Sequence, residues 1–270
     1  MKPILRKMAI GTLIVGLGLL IAWPLLSDEP AAPAEQPAQL AATYVGSAKC
    51  KMCHKGRYEM WAKTKHSKVK PPTPDEKTGE KPSDEEIARR VTAFDPATKQ
   101  GAEDGVTCEM CHGPGSLHLK ASKDQRKATI FNPTEDAPNP SVQFSVCAQC
   151  HARYTLPTGE RWAKGFIPGM NLVPSMKLDP AKPGQILEQF NELQGSKHVE
   201  KGVTCVKCHT GHVEDEALPH QLRKPIIEQC ATCHVDKKDP MHCPNAKPGD
   251  TCTTCHMPDG IHTFRAKQAQ

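Results

Sequence analysis

The segment GVTCEMCHGPGSLH, residues 105–118, contains the most informative pattern in the chain: two cysteines separated by two residues and followed directly by a histidine. The C-x-x-C-H pattern occurs in six places in the chain. The six units are Cys50, Cys53 and His54; Cys108, Cys111 and His112; Cys147, Cys150 and His151; Cys205, Cys208 and His209; Cys230, Cys233 and His234; and Cys252, Cys255 and His256. Because histidine fills only 13 of 270 positions, chance would place one after all six pairs with a probability on the order of 10⁻⁸.

This spacing is typical of covalent attachment of c-type haem. The two thiols of each unit add to the porphyrin vinyl groups, and the adjacent histidine becomes the proximal ligand of the iron. Three other uses of paired cysteines explain the pattern less well. Zinc ribbons need no histidine after every pair, a disulfide framework gives the histidines no role, and a thioredoxin-like site needs one motif on a βαβ unit. The sequence therefore predicts six covalently attached haem c groups.

The composition indicates an interior that side chains alone do not fill. Hydrophobic residues make up 37% of the chain and aromatic residues 4%, beside 25 Pro and 19 Gly. Six porphyrins would supply the missing apolar surface, and without them we expect the chain not to fold. The 35 Lys and Arg and the 30 Asp and Glu are spread along the chain without a long basic block. Nucleic-acid binding therefore has little support.

Seven histidines outside the motifs are candidates for the distal iron ligands: His66, His118, His198, His212, His220, His242 and His262. At least one of them is spare, or its haem has another ligand. Methionine is the rival ligand and would raise the reduction potential. Three methionines lie close to motifs: Met60, Met110 and Met257.

Spacing restricts which haem some of these histidines can serve. If residues 50–67 form one helix, His66 lies about 18 Å along it from His54, so His66 must reach a different haem. His209 and His212 are three residues apart and would share a helix face. They cannot then approach one iron from opposite sides.

The fold class that these features predict is mainly α with extensive loops and little or no β-sheet. No segment shows sustained alternation of polar and apolar residues, which is the signal of a strand. Two segments outside the motifs favour helices. Residues 84–92 follow a capping box of Ser83 and Glu86. In residues 185–194, Ile186, Phe190 and Leu193 share a face, and Gly195 follows as a C-cap.

The N-terminal segment predicts export. Lys2, Arg6 and Lys7 precede an apolar run, residues 8–26, whose 19 residues approach the roughly 20 that cross a bilayer. Positive charge before such a run keeps the N-terminus cytoplasmic. The run is either a retained membrane anchor or part of a signal segment, since residues 32–34 (Ala-Pro-Ala) have the small-x-small form of a cleavage site.

This places the body of the protein on the periplasmic side of the cytoplasmic membrane if the anchor is retained, and in the periplasm or outside the cell if it is cleaved. The predicted organisation is an anchor or signal segment at 1–26, a Pro/Ala linker at 27–43 and a hexahaem cytochrome c domain at 44–270.

The motifs also show an internal repeat. GVTCEMCHGPGSLH (105–118) and GDTCTTCHMPDGIH (249–262) share Gly, Thr, both Cys, His, Pro and the final His at identical spacing, and GVTCVKCHTGH (202–212) shares the beginning. Pro and Gly after the motif end its helix and turn the chain. His118 and His262 can therefore leave the haem of their own motif.

YVGSAKCKMCHKGRYEMWAKTKH (44–66) resembles the opening of exported multihaem c-type cytochromes related to the tetrahaem electron carrier of hydroxylamine oxidoreductase, and GVTCEMCHGPG (105–115) resembles their second-type motif. LQGSKHVEKGVTCVKCHTGH (193–212) and CTTCHMPDGIHTFR (252–265) are similar to the later half of longer multihaem cytochromes. The resemblance implies mostly bis-histidine haems in stacked parallel and perpendicular pairs. It favours His66, His118, His212 and His262 as distal ligands over His198, His220 and His242. Six motifs depart from the tetrahaem pattern, so the order of the haems does not transfer.

We therefore expect an electron carrier, without catalytic residues, that relays electrons between redox proteins. Bis-imidazole ligation predicts low reduction potentials. Three alternatives stay open. A multihaem oxidoreductase acting on nitrogen or sulfur oxyanions needs an iron with an open position, and no C-x-x-C-K motif is present. A quinol dehydrogenase would be built on the N-terminal helix, and a subunit of a conducting filament would have to lack a retained anchor.

Cys243 belongs to no haem motif. It is either a buried, inert thiol or, in an oxidising compartment, one half of an intermolecular disulfide.

Overall fold

The computed structural model describes residues 41–69, 105–134, 138–161, 163, 165–182, 184, 187–213, 218–235 and 246–264. All of them lie within one compact unit, Gln36–Gln270. The anticipated anchor, most of the linker, the helix predicted over 84–92, His242 and Cys243 fall outside the described residues. Within those ranges, no helix is long and apolar enough to cross a membrane.

Short helices dominate the part of the chain that the structure describes. The α-helices there are α1 (Ser47–Lys51), α2 (Lys55–Trp61), α3 (Cys108–His112), α4 (Ser116–Lys120), α5 (Pro140–His151), α6 (Gln189–Leu193), α7 (Lys197–Glu200), α8 (Cys205–Cys208), α9 (Ile226–Ala231) and α10 (Cys252–His256). Short 3₁₀ helices span His66–Lys68, Arg126–Thr129, Val173–Ser175, Pro219–Gln221 and Pro258–Gly260.

The sheet in these ranges consists of two short antiparallel strands, β1 (Tyr154–Thr155) and β2 (Lys177–Leu178). Tyr154 lies opposite Leu178. The prediction of a mainly helical fold with little β-sheet is confirmed.

The prediction of one helix over residues 50–67 is wrong, because the segment divides into α1, α2 and a 3₁₀ turn. His54 separates the first two helices with φ −113° and ψ 42°, outside the helical region. Beyond Trp61, hydroxyl groups compete for backbone carbonyls: Thr64 Oγ1 donates to Trp61 O at 2.8 Å and Ser67 Oγ to Ala62 O at 3.0 Å. The 18 Å estimate between His54 and His66 therefore does not apply.

The helix predicted over residues 185–194 is shorter, since α6 begins at Gln189. Leu187 has φ 66°, a left-handed conformation that a helix cannot pass through. The C-terminal end agrees with the prediction, because Gly195 follows α6 with φ 72°.

A small apolar core lies between α5, α6 and the strands. Its buried members are Phe144, Ala148, Ala152, Tyr154, Phe190 and Leu193. The rings of Phe144 and Phe190 are tilted against each other with centres 5.3 Å apart. This core fixes α5, which carries the third C-x-x-C-H motif, against α6.

The internal repeat marks a repeated local structure. The glycines that begin the three related segments all have positive φ: 86° at Gly105, 70° at Gly202 and 90° at Gly249. A Cβ at Gly105 would lie 2.5 Å from Ser67 O, so glycine is required there by space as well as by conformation. Two residues later, Thr107, Thr204 and Thr251 are the extended N-cap residues of α3, α8 and α10.

Candidate haem-binding sites

Each C-x-x-C-H motif lies on a helical turn. Helices α3, α8 and α10 begin at the first cysteine of a motif, whereas α1, α5 and α9 end within one or at its histidine. A helical turn brings residues i and i+3 to the same side, so both thiols of a motif point to one surface. The twelve motif cysteines are thiols rather than disulfides. They have the form that haem attachment requires.

Five motif histidines lie ring to ring with a second histidine that is distant in sequence. The distances between ring centres are 6.2 Å for His54 and His118, 5.9 Å for His112 and His212, 6.0 Å for His151 and His66, 6.0 Å for His209 and His262, and 6.1 Å for His234 and His198. In all five, the second partner is an imidazole and not one of the methionines considered as rival ligands.

A shared metal ion accounts for this spacing. Metal–imidazole bonds are about 2.0–2.1 Å long, so two nitrogens on opposite sides of one metal lie about 4 Å apart. A five-membered ring with bonds near 1.33 Å has its centre about 1.1 Å from each atom. The two ring centres should therefore lie about 6 Å apart. The observed distances fit two axial imidazoles on one haem iron.

Hydrogen bonds fix which nitrogen of several of these rings is available to bind a metal. Nδ1 lies 2.9 Å from Phe131 O in His112, 2.9 Å from Arg126 O in His118, 2.9 Å from Gln189 Oε1 in His151 and 2.9 Å from His220 O in His209. A ring nitrogen beside a carbonyl oxygen carries the proton, which leaves Nε2 with the lone pair. Nε2 is therefore the nitrogen of these rings that could bind iron.

Burial favours the neutral form of several paired imidazoles, and the neutral form is the one that binds a metal. Burial lowers the pKa of His112, His151 and His209. For His212, burial and the neighbouring His112 lower the pKa to about 4.

The remaining predicted ligands occupy different places. In the part of the chain described here, no ring contact joins His220 or His256 to another histidine. His220 is exposed with φ 57°, and its carbonyl accepts the Nδ1 proton of His209. His198, ranked among the less certain ligands, is paired as closely as the favoured ones. His209 and His212 belong to different pairs, yet not for the predicted reason, because α8 ends at Cys208.

Zinc chemistry has a different requirement. Structural zinc takes four protein ligands. Over the described ranges, no group of three or more His, Cys, Asp or Glu is arranged to hold a metal ion. The histidines meet in twos instead, which suits an iron whose other four ligands come from a porphyrin.

Consecutive motifs contact each other along the chain. Helix α1 packs on α3, α3 on α5, α5 on α8, and α9 on α10. Gln229 of α9 connects the two halves of this series, because its Nε2 donates to Lys207 O of α8 at 3.1 Å. The six haem motifs therefore form one row in the sense that each motif contacts the next one in the sequence.

The pKa values of the motif thiols reflect the same contacts between motifs. Burial and the nearby Cys147 raise the pKa of Cys111 to about 12. A hydrogen bond with Cys205, together with burial, raises the pKa of Cys147 in turn. Further along, burial and Cys252 raise the pKa of Cys230 to about 11. Neighbouring motifs are thus close enough for their thiols to interact.

Glu109 holds the first two motifs together. It lies between the cysteines of the second motif and is 1% exposed. Its carboxylate accepts N–H groups from Val45 at 3.0 and 3.1 Å, Gly46 at 2.8 Å and Gly115 at 2.7 Å. Sequence reasoning did not single out this residue, because the spacer positions of C-x-x-C-H carry no signal of their own.

Comparison with known proteins agrees with these sites. The family model described as cytochrome c554 and c-prime matches residues 49–113. Cytochrome c-554 of Nitrosomonas europaea is 25% identical over 169 residues, which cover 50% of this chain and 67% of that protein. Cytochrome c-type protein NrfB of Escherichia coli O6:H1 is 28% identical over 154 residues, covering 57% of this chain and 60% of that protein.

The fold is also similar to a solved structure. The crystal structure of the outer cell wall cytochrome OcwA aligns with a TM-score of 0.58 and 19% identity, over 82% of this chain and 79% of that one. The six C-x-x-C-H motifs, the facing histidines and these similarities show that the chain is a multihaem c-type cytochrome.

Proposed function

We propose that this cytochrome carries six haems and relays electrons between redox proteins outside the cytoplasm. When bound, each haem supplies a one-electron ferric/ferrous couple. The observation that supports the proposal best is the row of motif helices from α1 to α10, in which each motif contacts the next. The chain's role is to hold neighbouring cofactors close together in a fixed orientation.

The residues that would hold the haems follow from the motifs and the facing rings. The motif cysteines would attach the porphyrins, and the motif histidines would be the proximal ligands. The proposed distal ligands are His118 for the haem of His54, His212 for His112, His66 for His151, His262 for His209 and His198 for His234. His220 and His242 are the candidates for the haem of His256.

The proposed location rests on the sequence. Residues 1–26 would export the chain, and residues 27–43 would separate the hexahaem domain, 44–270, from the membrane if the anchor is retained. The redox partners would then dock on the periplasmic or extracellular side through small, charged interfaces at an exposed haem edge.

A carrier differs from an enzyme in having no open iron position. The five facing pairs would close both axial positions of five haems. A multihaem oxidoreductase would need one iron that binds substrate. The haem of His256 is the place to test this alternative, because its distal ligand is not assigned to one of the two candidates, His220 and His242.

Carbon monoxide uptake by the reduced protein tests this proposal. An exogenous ligand must displace a tethered imidazole that is present at high effective concentration. We expect no prompt uptake by the dithionite-reduced protein and no turnover of nitrite, hydroxylamine or sulfite. The variant His118→Ala, which should open the haem of His54, is the positive control and should take up one carbon monoxide per chain. Stoichiometric uptake by the unmodified protein would overturn the carrier function and assign an open iron.

A further inference from the structure

One short helix contacts the ligands of two neighbouring haem sites. Gln189, at the start of α6, has its Oε1 2.9 Å from Nδ1 of His151. Glu192, one turn later on α6, accepts the backbone N–H of His262 at 2.9 Å, and the same Oε2 atom lies 3.7 Å from Nδ1 of His262. The two sites are adjacent, because His151 acts on the pKa of both His209 and His262.

Glu192 is held in place within the protein. It is 5% exposed, and its other oxygen, Oε1, accepts the N–H of Gly184 at 2.7 Å. An ionised carboxylate is an acceptor only, and both oxygens here meet N–H groups. The contact with His262 is therefore part of a fixed arrangement rather than a chance position of a surface side chain.

The ring of His262 differs from several other proposed ligand rings in having a carboxylate close to its Nδ1. Its Nδ1 is buried without a hydrogen bond, whereas the Nδ1 atoms of His112, His118, His151 and His209 meet neutral oxygens. Burial lowers the pKa of His262, while Glu192 and the Gly260 carbonyl act in the opposite direction. The groups that raise the pKa of this ring are thus one carboxylate and one backbone carbonyl.

We propose that Glu192 is a positioning residue that lowers the reduction potential of the haem held by His209 and His262 relative to the haem held by His151 and His66. A carboxylate beside the N–H of an axial imidazole increases its basicity, and ligand basicity and nearby negative charge stabilise ferric iron. Gln189 makes the corresponding contact with an uncharged amide. Helix α6 therefore sets a difference in potential between two adjacent sites of the row. The inference rests on the proposed ligation by these histidine pairs.

The test is a potentiometric titration of the holoprotein with dithionite and ferricyanide, in which the haem methyl NMR signals report each haem separately. Glu192→Gln keeps an oxygen that can accept the backbone N–H of His262, but it removes the negative charge. We expect one midpoint potential to shift upward and the other five to stay within error. Glu200→Gln is the matched control: Glu200 is an exposed glutamate paired with Lys197 at 2.7 Å, and its replacement should produce no resolved shift.

A second variant works in the opposite direction. Gln189→Glu places a carboxylate beside His151, and the potential of a different haem should shift downward. If both variants fold and neither shifts a potential, the inference is wrong. If one variant is too unstable to measure, an unchanged potential in the other is enough to overturn the inference.

Assignment of the signals separates this inference from the proposed ligation. His262→Ala should convert one haem to high spin, and that haem should be the one whose potential moves in Glu192→Gln. If His262→Ala leaves every haem low spin, the proposed ligation fails. If it opens one haem whose potential is unchanged in Glu192→Gln, ligation stands and the role of Glu192 is refuted.

Discussion

Replacement of Glu109 by alanine should release the N-terminal segment of the haem domain from the second motif. The side chain is 1% exposed and accepts three backbone N–H groups, from Val45, Gly46 and Gly115. A buried donor that loses its partner costs about 1–3 kcal/mol. Three such donors lower the free energy of local opening by roughly 3 kcal/mol or more. This corresponds to about a 100-fold rise in the equilibrium constant for opening.

Amide hydrogen exchange of the oxidised holoprotein measures this opening directly. In Glu109→Ala, the amides of Val45, Gly46 and Gly115 should exchange about 100-fold faster, because protection factors report the opening free energy. Glu109→Gln retains one acceptor oxygen and should have an intermediate effect. The matched control is Glu59→Ala, since Glu59 is an exposed glutamate that pairs only loosely with Lys55 at 3.9 Å. Unchanged exchange in Glu109→Ala, or an equal change in the control, would show that Glu109 does not hold this segment.

Three further predictions concern ligation and stability. His66→Ala should leave the first haem attached and low spin but convert the haem of His151 to high spin, as absorption and EPR spectra would show; a high-spin haem at His54 instead would contradict the pairing. Arg153→Ala removes the guanidinium 2.8 Å from the buried carboxylate of Glu188, and should lower the free energy of unfolding in denaturant by about 1–3 kcal/mol; an unchanged midpoint would show that the pair adds nothing. The chain made without haem attachment should remain open to proteases, and recovery of a compact, resistant apo-protein would contradict the interpretation of the composition.

Local and covalent constraints made part of this molecule predictable. The C-x-x-C-H spacing predicts attachment because both cysteines and the proximal histidine lie within one helical turn. The scarcity of alternating segments predicts little sheet, as observed. Pro and Gly after the second motif predict the end of its helix, and α3 ends at His112 with Gly113 at φ 79°.

Helix length was predicted less well, since it depends on competing local hydrogen bonds. Thr64 and Ser67 use their hydroxyls on nearby carbonyls, and the chain leaves the helix before His66. Leu187 adopts a left-handed conformation that the apolar periodicity of its segment does not indicate.

Contacts between distant segments carried no sequence signal. His112 lies beside His212, 100 residues later, and a histidine outside a motif does not indicate which iron it would serve. Glu109 and Glu192 were missed for the same reason: each acts on groups that only the folded chain brings close.

We propose that one chain holds six haems, each closed by two histidines, in a row that transfers electrons. A spectroelectrochemical titration of the purified protein tests this proposal most directly, because it counts the electrons taken up per chain and reports the spin state at every potential. We expect six one-electron reductions at low potentials, with low-spin spectra throughout. Fewer than six electrons per chain, or a high-spin haem in the resting protein, would contradict the proposal.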